Sequence, residues 1–314
     1  MTTSTTSPDR AVVPANAPRD YGIAPPGFRL PDATRLGAVR LEISDLARSL
    51  AYYEGVLGFR VVERRPGAAT LGAHGDDTPL VELRERAGAR PVPRRGRLGL
   101  YHYAILLPDR AALGRFLAHL AALGVPAGMS DHFVSEAIYL ADPDGLGIEV
   151  YSDRPRSAWR HEDRQLAMTT IPLDAQDVVS AARGARWTGM PAGTTIGHVH
   201  LHVTDIDRAA AFYHEALGFD KMVWNYPGAL FLAAGGYHHH LGTNTWAAQA
   251  PPVEEGDARL LEWEIVLPDA RDLEGAARSL EGAGHAVHRD GGDAVVRDPW
   301  GTAVRLRAEA APTH

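Results

Sequence analysis

The 314-residue sequence predicts an α+β fold built from four degenerate copies of one β-α-β unit, and three regularities point to it. An apolar run ending in aspartate occurs four times: Ile-Ser-Asp (43–45), Leu-Leu-Pro-Asp (106–109), Val-Thr-Asp (203–205) and Val-Leu-Pro-Asp (266–269). The positions seven residues before those aspartates are Ala38, His102, His198 and Glu262. Their separations are 64, 96 and 64 residues, so a 160-residue block of two units occurs twice. After the first and third aspartates, a helical pattern closes on Leu-Gly-Phe, at 57–59 and 217–219.

In the first unit, Val39 to Ile43 alternates as a half-buried strand. Ser44 or Asp45 is placed to cap the next helix, whose Leu46, Leu50, Tyr53 and Leu57 recur at helical spacing. Gly58 ends that helix, and Phe59 to Val62 opens a second strand. The second unit runs from Tyr101 through a helix at about 110–123 to Gly124. Its later strands, 136–140 and 147–151, flank the turn Asp142-Pro143-Asp144-Gly145. The third unit follows the first closely, with Val203, Asp205, Ala210 to Tyr213 and Leu217-Gly218-Phe219. In the fourth, the turn returns as Asp298-Pro299-Trp300-Gly301 before a final strand at 303–306. The expected organisation is a flexible tail at 1–34, two units at 35–153, a wrapped Pro- and Gly-containing linker at 154–194, and two units at 195–308.

Composition narrows the function classes. A charged fraction of 23% and a hydrophobic fraction of 45% suit a globular chain with ample core. A net charge of −7 argues against nucleic acid as the main partner. Cysteine is absent, which removes disulfides, thiolate zinc sites, iron–sulfur clusters and cysteine nucleophiles. No apolar stretch approaches the roughly 20 residues of a membrane span, and the first 34 residues lack the apolar segment of a secretory signal, so a cytoplasmic protein is expected.

Candidate chemistry lies on three residues. His102 and His198 hold equivalent strand positions in the second and third units, and Glu149 stands on the last strand of the second. Two imidazoles and a carboxylate form the set that binds non-haem Fe(II) on one face and leaves the other positions open. His200 and His202 alternate with His198 and so share its side of the strand. All three cannot bind one ion, and the last two are expected to line the site or to pack.

Longer segments carry a resemblance. They are Gly99-Leu-Tyr-His-Tyr-Ala-Ile, Ser130-Asp-His-Phe-Val-Ser-Glu-Ala-Ile-Tyr-Leu-Ala-Asp-Pro-Asp-Gly, Gly147-Ile-Glu-Val-Tyr, Gly197-His-Val-His-Leu-His-Val and Gly236-Tyr-His-His-His-Leu-Gly-Thr-Asn-Thr-Trp. Across residues 35–308 the chain resembles the vicinal oxygen chelate superfamily of glyoxalase I, bleomycin-resistance proteins and extradiol dioxygenases, and most closely its two-domain catechol 2,3-dioxygenases. The resemblance implies four βαβββ modules in two vicinal-oxygen-chelate domains. It places metal ligands at His102, Glu149 and His198, and catalytic groups at Tyr139, His132 and an acid–base histidine. That last role falls in the run His238-His239-His240, on the last strand of the third unit, with His239 the best match. His240 would join His200 and His202 around the substrate.

Given those ligand positions, the repeat predicts how units pair. Units one and two supply Ala38, His102 and Glu149; units three and four supply His198, Glu262 and Arg305. Only units two and three supply the whole set. Units one and four then supply Ala38, Glu262 and Arg305, suited to an ion pair filling a dead site. The implied activity is extradiol cleavage of a catechol-type diol by O2 with Fe(II), or with Mn(II), whose ligand preferences are similar. A homo-oligomer is possible. Two other classes stand beside it: a glyoxalase-like isomerase or lyase that recruits His240 or Glu82 as a further ligand, and a metal-free small-molecule-binding protein.

Overall fold

The computed structural model describes residues 21–93 and 95–309. Unit one comprises β1 (Arg35–Ile43), α1 (Leu46–Tyr52, prolonged by a π-helical turn at Tyr53–Leu57), β2 (Arg60–Arg65), β3 (Ala68–Gly72) and β4 (Val81–Glu85). Unit two comprises β5 (Gly99–Leu106), α2 (Arg110–Leu123), β6 (Gly128–Asp131), β7 (Ser135–Ala141) and β8 (Gly147–Asp153). The connection holds β9 (His161–Glu162), β10 (Gln165–Leu166) and α3 (Ala175–Ala181). Unit three comprises β11 (Thr195–His202), α4 (Ile206–Ala210, prolonged by a π-helical turn at Ala211–Ala216), β12 (Asp220–Val223), β13 (Ala229–Ala233) and β14 (Leu241–Asn244). Unit four comprises β15 (Arg259–Leu267), α5 (Ala270–Gly282), β16 (Val287–Asp290), β17 (Asp293–Arg297) and β18 (Ala303–Ala308). Each unit is therefore βαβββ.

The aspartate that marks the repeat is the helix N-cap in all four units. The side chains of Asp45, Asp109, Asp205 and Asp269 accept from the backbone N–H of Arg48, Ala112, Arg208 and Asp272 at 2.9, 2.6, 2.8 and 3.0 Å. Each satisfies a donor that the first helical turn leaves without a partner. Ser44, the other capping candidate, instead bonds Asp144 of unit two through its N–H and hydroxyl, both at 2.7 Å.

The four units form two eight-stranded sheets. One runs β12-β13-β14-β11-β5-β8-β7-β6, joining unit three to unit two; the other runs β16-β17-β18-β15-β1-β4-β3-β2, joining unit four to unit one. The seams are antiparallel, β11 on β5 and β15 on β1. This is the exchanged pairing expected from the ligand positions, and each sheet takes one unit from each half of the chain. Hydroxyl–carboxylate bonds tie the two sheets together. Tyr53 of unit one donates to Asp142 of unit two at 3.3 Å, and Tyr213 of unit three donates to Asp298 of unit four at 2.8 Å.

Strand alternation sorts side chains between the core and a concave outer face. Tyr103 and Ile105 of β5, Val199 and Leu201 of β11, and Ile148 and Val150 of β8 enter the core shared by both sheets. The intervening positions, His102, His198, His200, His202 and Glu149, are thereby turned to the other face.

One expectation needs correction. Residues 1–20 lie outside the described residues, but 21–34 are packed rather than a flexible tail. Leu30 is buried, Ile23 pairs with Lys221 in a β-bridge, and the Arg29 guanidinium bonds both carboxylate oxygens of Asp220 at 2.8 and 2.7 Å. Apolar burial and a bidentate ion pair offset the entropy that low sequence complexity suggested would prevail. The helices of units one and three each end in a π-helical turn, and Gly58 closes the first in the left-handed conformation, as expected.

Gly147 starts β8 where a β-carbon would lie 2.0 Å from the carbonyl oxygen of Tyr101. Backbone on a neighbouring strand cannot yield as a side chain can, so Gly147→Ala should cost about 1–3 kcal/mol. A fall in Tm of several degrees in thermal unfolding is the expected outcome, and an unchanged Tm would show that β8 shifts freely.

Candidate metal centre and active site

β5, β8 and β11 are adjacent strands, and their register brings the three candidate ligands together. Ala104 of β5 pairs with His198 on one side and with Glu149 on the other, while His102 lies opposite His200. His102 Nε2 is 3.0 Å from Glu149 Oε2, His198 Nε2 is 3.1 Å from the same oxygen, and the two Nε2 atoms are 3.3 Å apart. Ligands about 2.1 Å from an octahedral ion and at right angles to each other are roughly 3.0 Å apart. The triangle therefore fits one face of an octahedral ion. It is the one such cluster of three or more His, Asp or Glu groups among the described residues.

All three groups are buried. Burial lowers the pKa of His102 and of His198, against the pull of Glu149. Burial would raise Glu149, but the neighbouring imidazoles outweigh it and hold the carboxyl well below its usual range. Neutral imidazoles and an ionised carboxylate are the forms that bind a metal. The Nδ1 atoms of His102 and His198 are buried without a hydrogen-bond partner among the described residues.

A cavity of about 1020 Å³ opens over this triangle, with His102, Glu149, Tyr139, His132 and His239 in its wall. The backbone carbonyl of Thr169, in the connection between units two and three, lies 2.6 Å from His132 Nδ1. A carbonyl can only accept, so Nδ1 carries the proton and the bare Nε2 accepts from the Tyr139 hydroxyl at 2.6 Å. Burial, followed by the charge of Glu149, raises the Tyr139 phenol well above its usual range, so it remains a donor.

His200 and His202 also line the cavity, and Asn244 fixes both. The Trp246 backbone N–H donates to Asn244 Oδ1 at 3.1 Å, which sets the amide orientation. Asn244 Nδ2 then donates to His200 Nε2 at 2.9 Å, and His202 Nδ1 donates to Asn244 Oδ1 at 2.8 Å. The roles of Asn244 and Thr169 were not anticipated from the sequence. Asn244 lies in a segment that carried the resemblance, but nothing local marks a backbone carbonyl such as that of Thr169.

The histidine run departs from expectation. His238, His239 and His240 sit in an irregular turn between β13 and β14, not on a strand. Without strand alternation, the three side chains go three ways. His239 faces the cavity, its ring centroid 4.0 Å from that of His198. His238 is enclosed behind it. His240 turns away from the cavity, accepts from the Ala234 N–H at 3.2 Å and stacks on Phe219, so it does not line the cavity wall. Neither it nor Glu82, which pairs with Arg40 at 2.7 Å in the other sheet, can complete a fuller ligand set.

The equivalent position in the second sheet has the predicted ion pair. Arg305 Nε donates to Glu262 at 2.6 Å, and Arg40 pairs with Glu262 and, at 2.7 Å, with Glu264.

Two curled sheets of βαβββ units, one carrying a His-Glu-His face under a cavity, define a protein of the vicinal oxygen chelate class. A family profile of the Glyoxalase/Bleomycin resistance protein/Dioxygenase superfamily matches residues 35–150 and 195–306, and the chain belongs to that superfamily. It is 45% identical over 270 residues to a catechol-2,3-dioxygenase of Bacillus subtilis (strain 168), an alignment covering 85% of this chain and 94% of that protein. Among solved structures, a candidate dioxygenase of Bacillus subtilis superposes with a TM-score of 0.61 at 16% identity, over 88% of this chain and 86% of that one. Glyoxalase I from Zea mays gives 0.53 at 18% identity, over 87% and 92%. At such identities these two speak for the fold alone. No helix among the described residues is long and apolar enough to cross a membrane.

Single substitutions His102→Ala, His198→Ala and Glu149→Ala should each abolish metal retention, because a three-ligand face missing one member holds little. His200→Ala and His202→Ala should retain it. Metal analysis of the purified variants decides this, and full occupancy in His198→Ala would reassign the ligand set. Protons compete for the same atoms, and burial holds both imidazoles below their ordinary pKa of about 6.5, so metal should be released only as the pH falls below that value. Equilibrium dialysis across that range checks the direction.

Proposed function

We propose that the protein is an extradiol ring-cleaving dioxygenase that acts on catechol or a substituted catechol with O2, giving a product of the 2-hydroxymuconate-semialdehyde type. The observation that carries this is the 3.0–3.3 Å triangle of His102, Glu149 and His198 beneath a cavity equipped with Tyr139, His132 and His239. The relative named as a catechol-2,3-dioxygenase supports it. His102, Glu149 and His198 would hold Fe(II), which when bound would supply Lewis acidity toward the diol and redox chemistry toward O2.

The chain's own residues do the rest. His239 is held neutral, because burial and then the adjacent histidines push its pKa well below the ordinary value. It can therefore take a proton from the diol and return it later. Tyr139, kept protonated, turns its hydroxyl from His132 to the substrate oxygen, and His132 supports the diol from the same wall. The apolar lining from Phe231 and Trp246 excludes water and presses the ring into a fixed orientation.

Anaerobic reconstitution with Fe(II), followed by catechol and air, should give a yellow ring-fission product. Its absence from protein that retains iron would overturn the proposal. His239→Ala and Tyr139→Phe should keep the metal and lower kcat, since a proton-transfer group contributes about 10²–10⁴-fold. Near-normal turnover in both would remove their assigned roles.

A further inference from the structure

Behind His239 lies a set of polar groups that metal binding does not use. His239 Nδ1 is 2.7 Å from His238 Nδ1, and His238 Nε2 is 2.9 Å from Asp153 Oδ1. The Asp153 oxygen also accepts from the Tyr237 hydroxyl at 3.2 Å, and Tyr237 in turn accepts from the Tyr151 hydroxyl at 2.6 Å. The His238 side chain has no exposure and sits among the rings of Tyr237 and Trp159, whereas the Asp153 side chain is 27% exposed.

The direction of each hydrogen bond follows from the one group that cannot donate. An ionised Asp153 only accepts, so His238 Nε2 carries a proton. In a neutral imidazole His238 Nδ1 is then bare and must accept, which requires the proton of His239 on Nδ1. His239 Nε2, which has no hydrogen-bond partner among the described residues, is left as a bare lone pair on the residue that faces the cavity.

We propose that Asp153 and His238 are positioning residues that fix the tautomer of His239, so that its Nε2 is the base presented to the substrate. The proton of a substrate hydroxyl passes to Nε2. The resulting imidazolium keeps its Nδ1 proton donated to His238, and Asp153 holds His238 in the accepting orientation throughout. The inference rests on the base role given to His239 above, but the tautomer can be measured independently of any turnover.

In full-length, iron-free protein labelled with ¹⁵N-histidine, NMR shifts should report His239 protonated on Nδ1. Asp153→Leu and His238→Leu should redistribute it toward the Nε2-protonated form. His238→Gln, whose amide has both a donor and an acceptor, should preserve it. In the iron-loaded enzyme, Asp153→Leu should lower kcat at least about tenfold, with iron content and KM little changed. An Nε2-protonated His239 in the unsubstituted protein, or an unaltered tautomer in both leucine variants, would overturn the inference. If His239→Ala leaves turnover intact while the tautomer behaves as stated, the failure lies with the base role instead.

Discussion

The antiparallel seam between β5 and β11 is the constraint on which the site depends. Neither strand alone holds more than one of the ligands, and β8 contributes its carboxylate only through its parallel alignment with β5. Because strand side chains alternate with period two, a one-residue slip at this seam would turn His198 into the core and Val199 into the site. Burial of Val199 and Leu201 on one face, and of Tyr103 and Ile105 opposite, sets the register that the chemistry needs. Hydrophobic packing between the sheets thus aligns polar groups on their outer face.

The second seam, β1 on β15, repeats the geometry without the function. Where one sheet has two imidazoles and a carboxylate, the other has a small residue, Ala38, and an arginine–glutamate network centred on Arg40, Glu262 and Arg305. Partly buried charges of both signs satisfy one another there, where a lone carboxylate would have been costly. The same backbone thus supports either a metal-binding face or an electrostatic filling, depending on three side chains.

Much of this was legible in the sequence because the recurring signals have local physical causes. The aspartates that revealed the repeat are helix caps, and the fixed distance from cap to strand is why counting back from them reached the ligand positions. The ion pair of Glu262 with Arg305 was readable from their residue types once the repeat had set them at the positions equivalent to the ligands. The positions of His238, His239 and His240 were not, since consecutive residues in a turn have no alternation from which to infer direction. The packing of residues 21–34 was also hidden: their partners, such as Asp220, lie far away in sequence and nothing local announces the contact.

The exchanged order of units has a consequence for synthesis. As the chain leaves the ribosome, unit one emerges first, yet the strand that completes its sheet, β15, begins only at Arg259. Unit two likewise waits for β11, across the intervening connection. The first half of the molecule therefore exposes the unpaired edge of β1 for most of translation and that of β5 for a shorter stretch, and long-range pairings of this kind close late and slowly. A chain laid out as two consecutive, self-sufficient sheets would shorten that interval, whereas this arrangement makes unit one the earliest of the four units and the last to have its sheet completed.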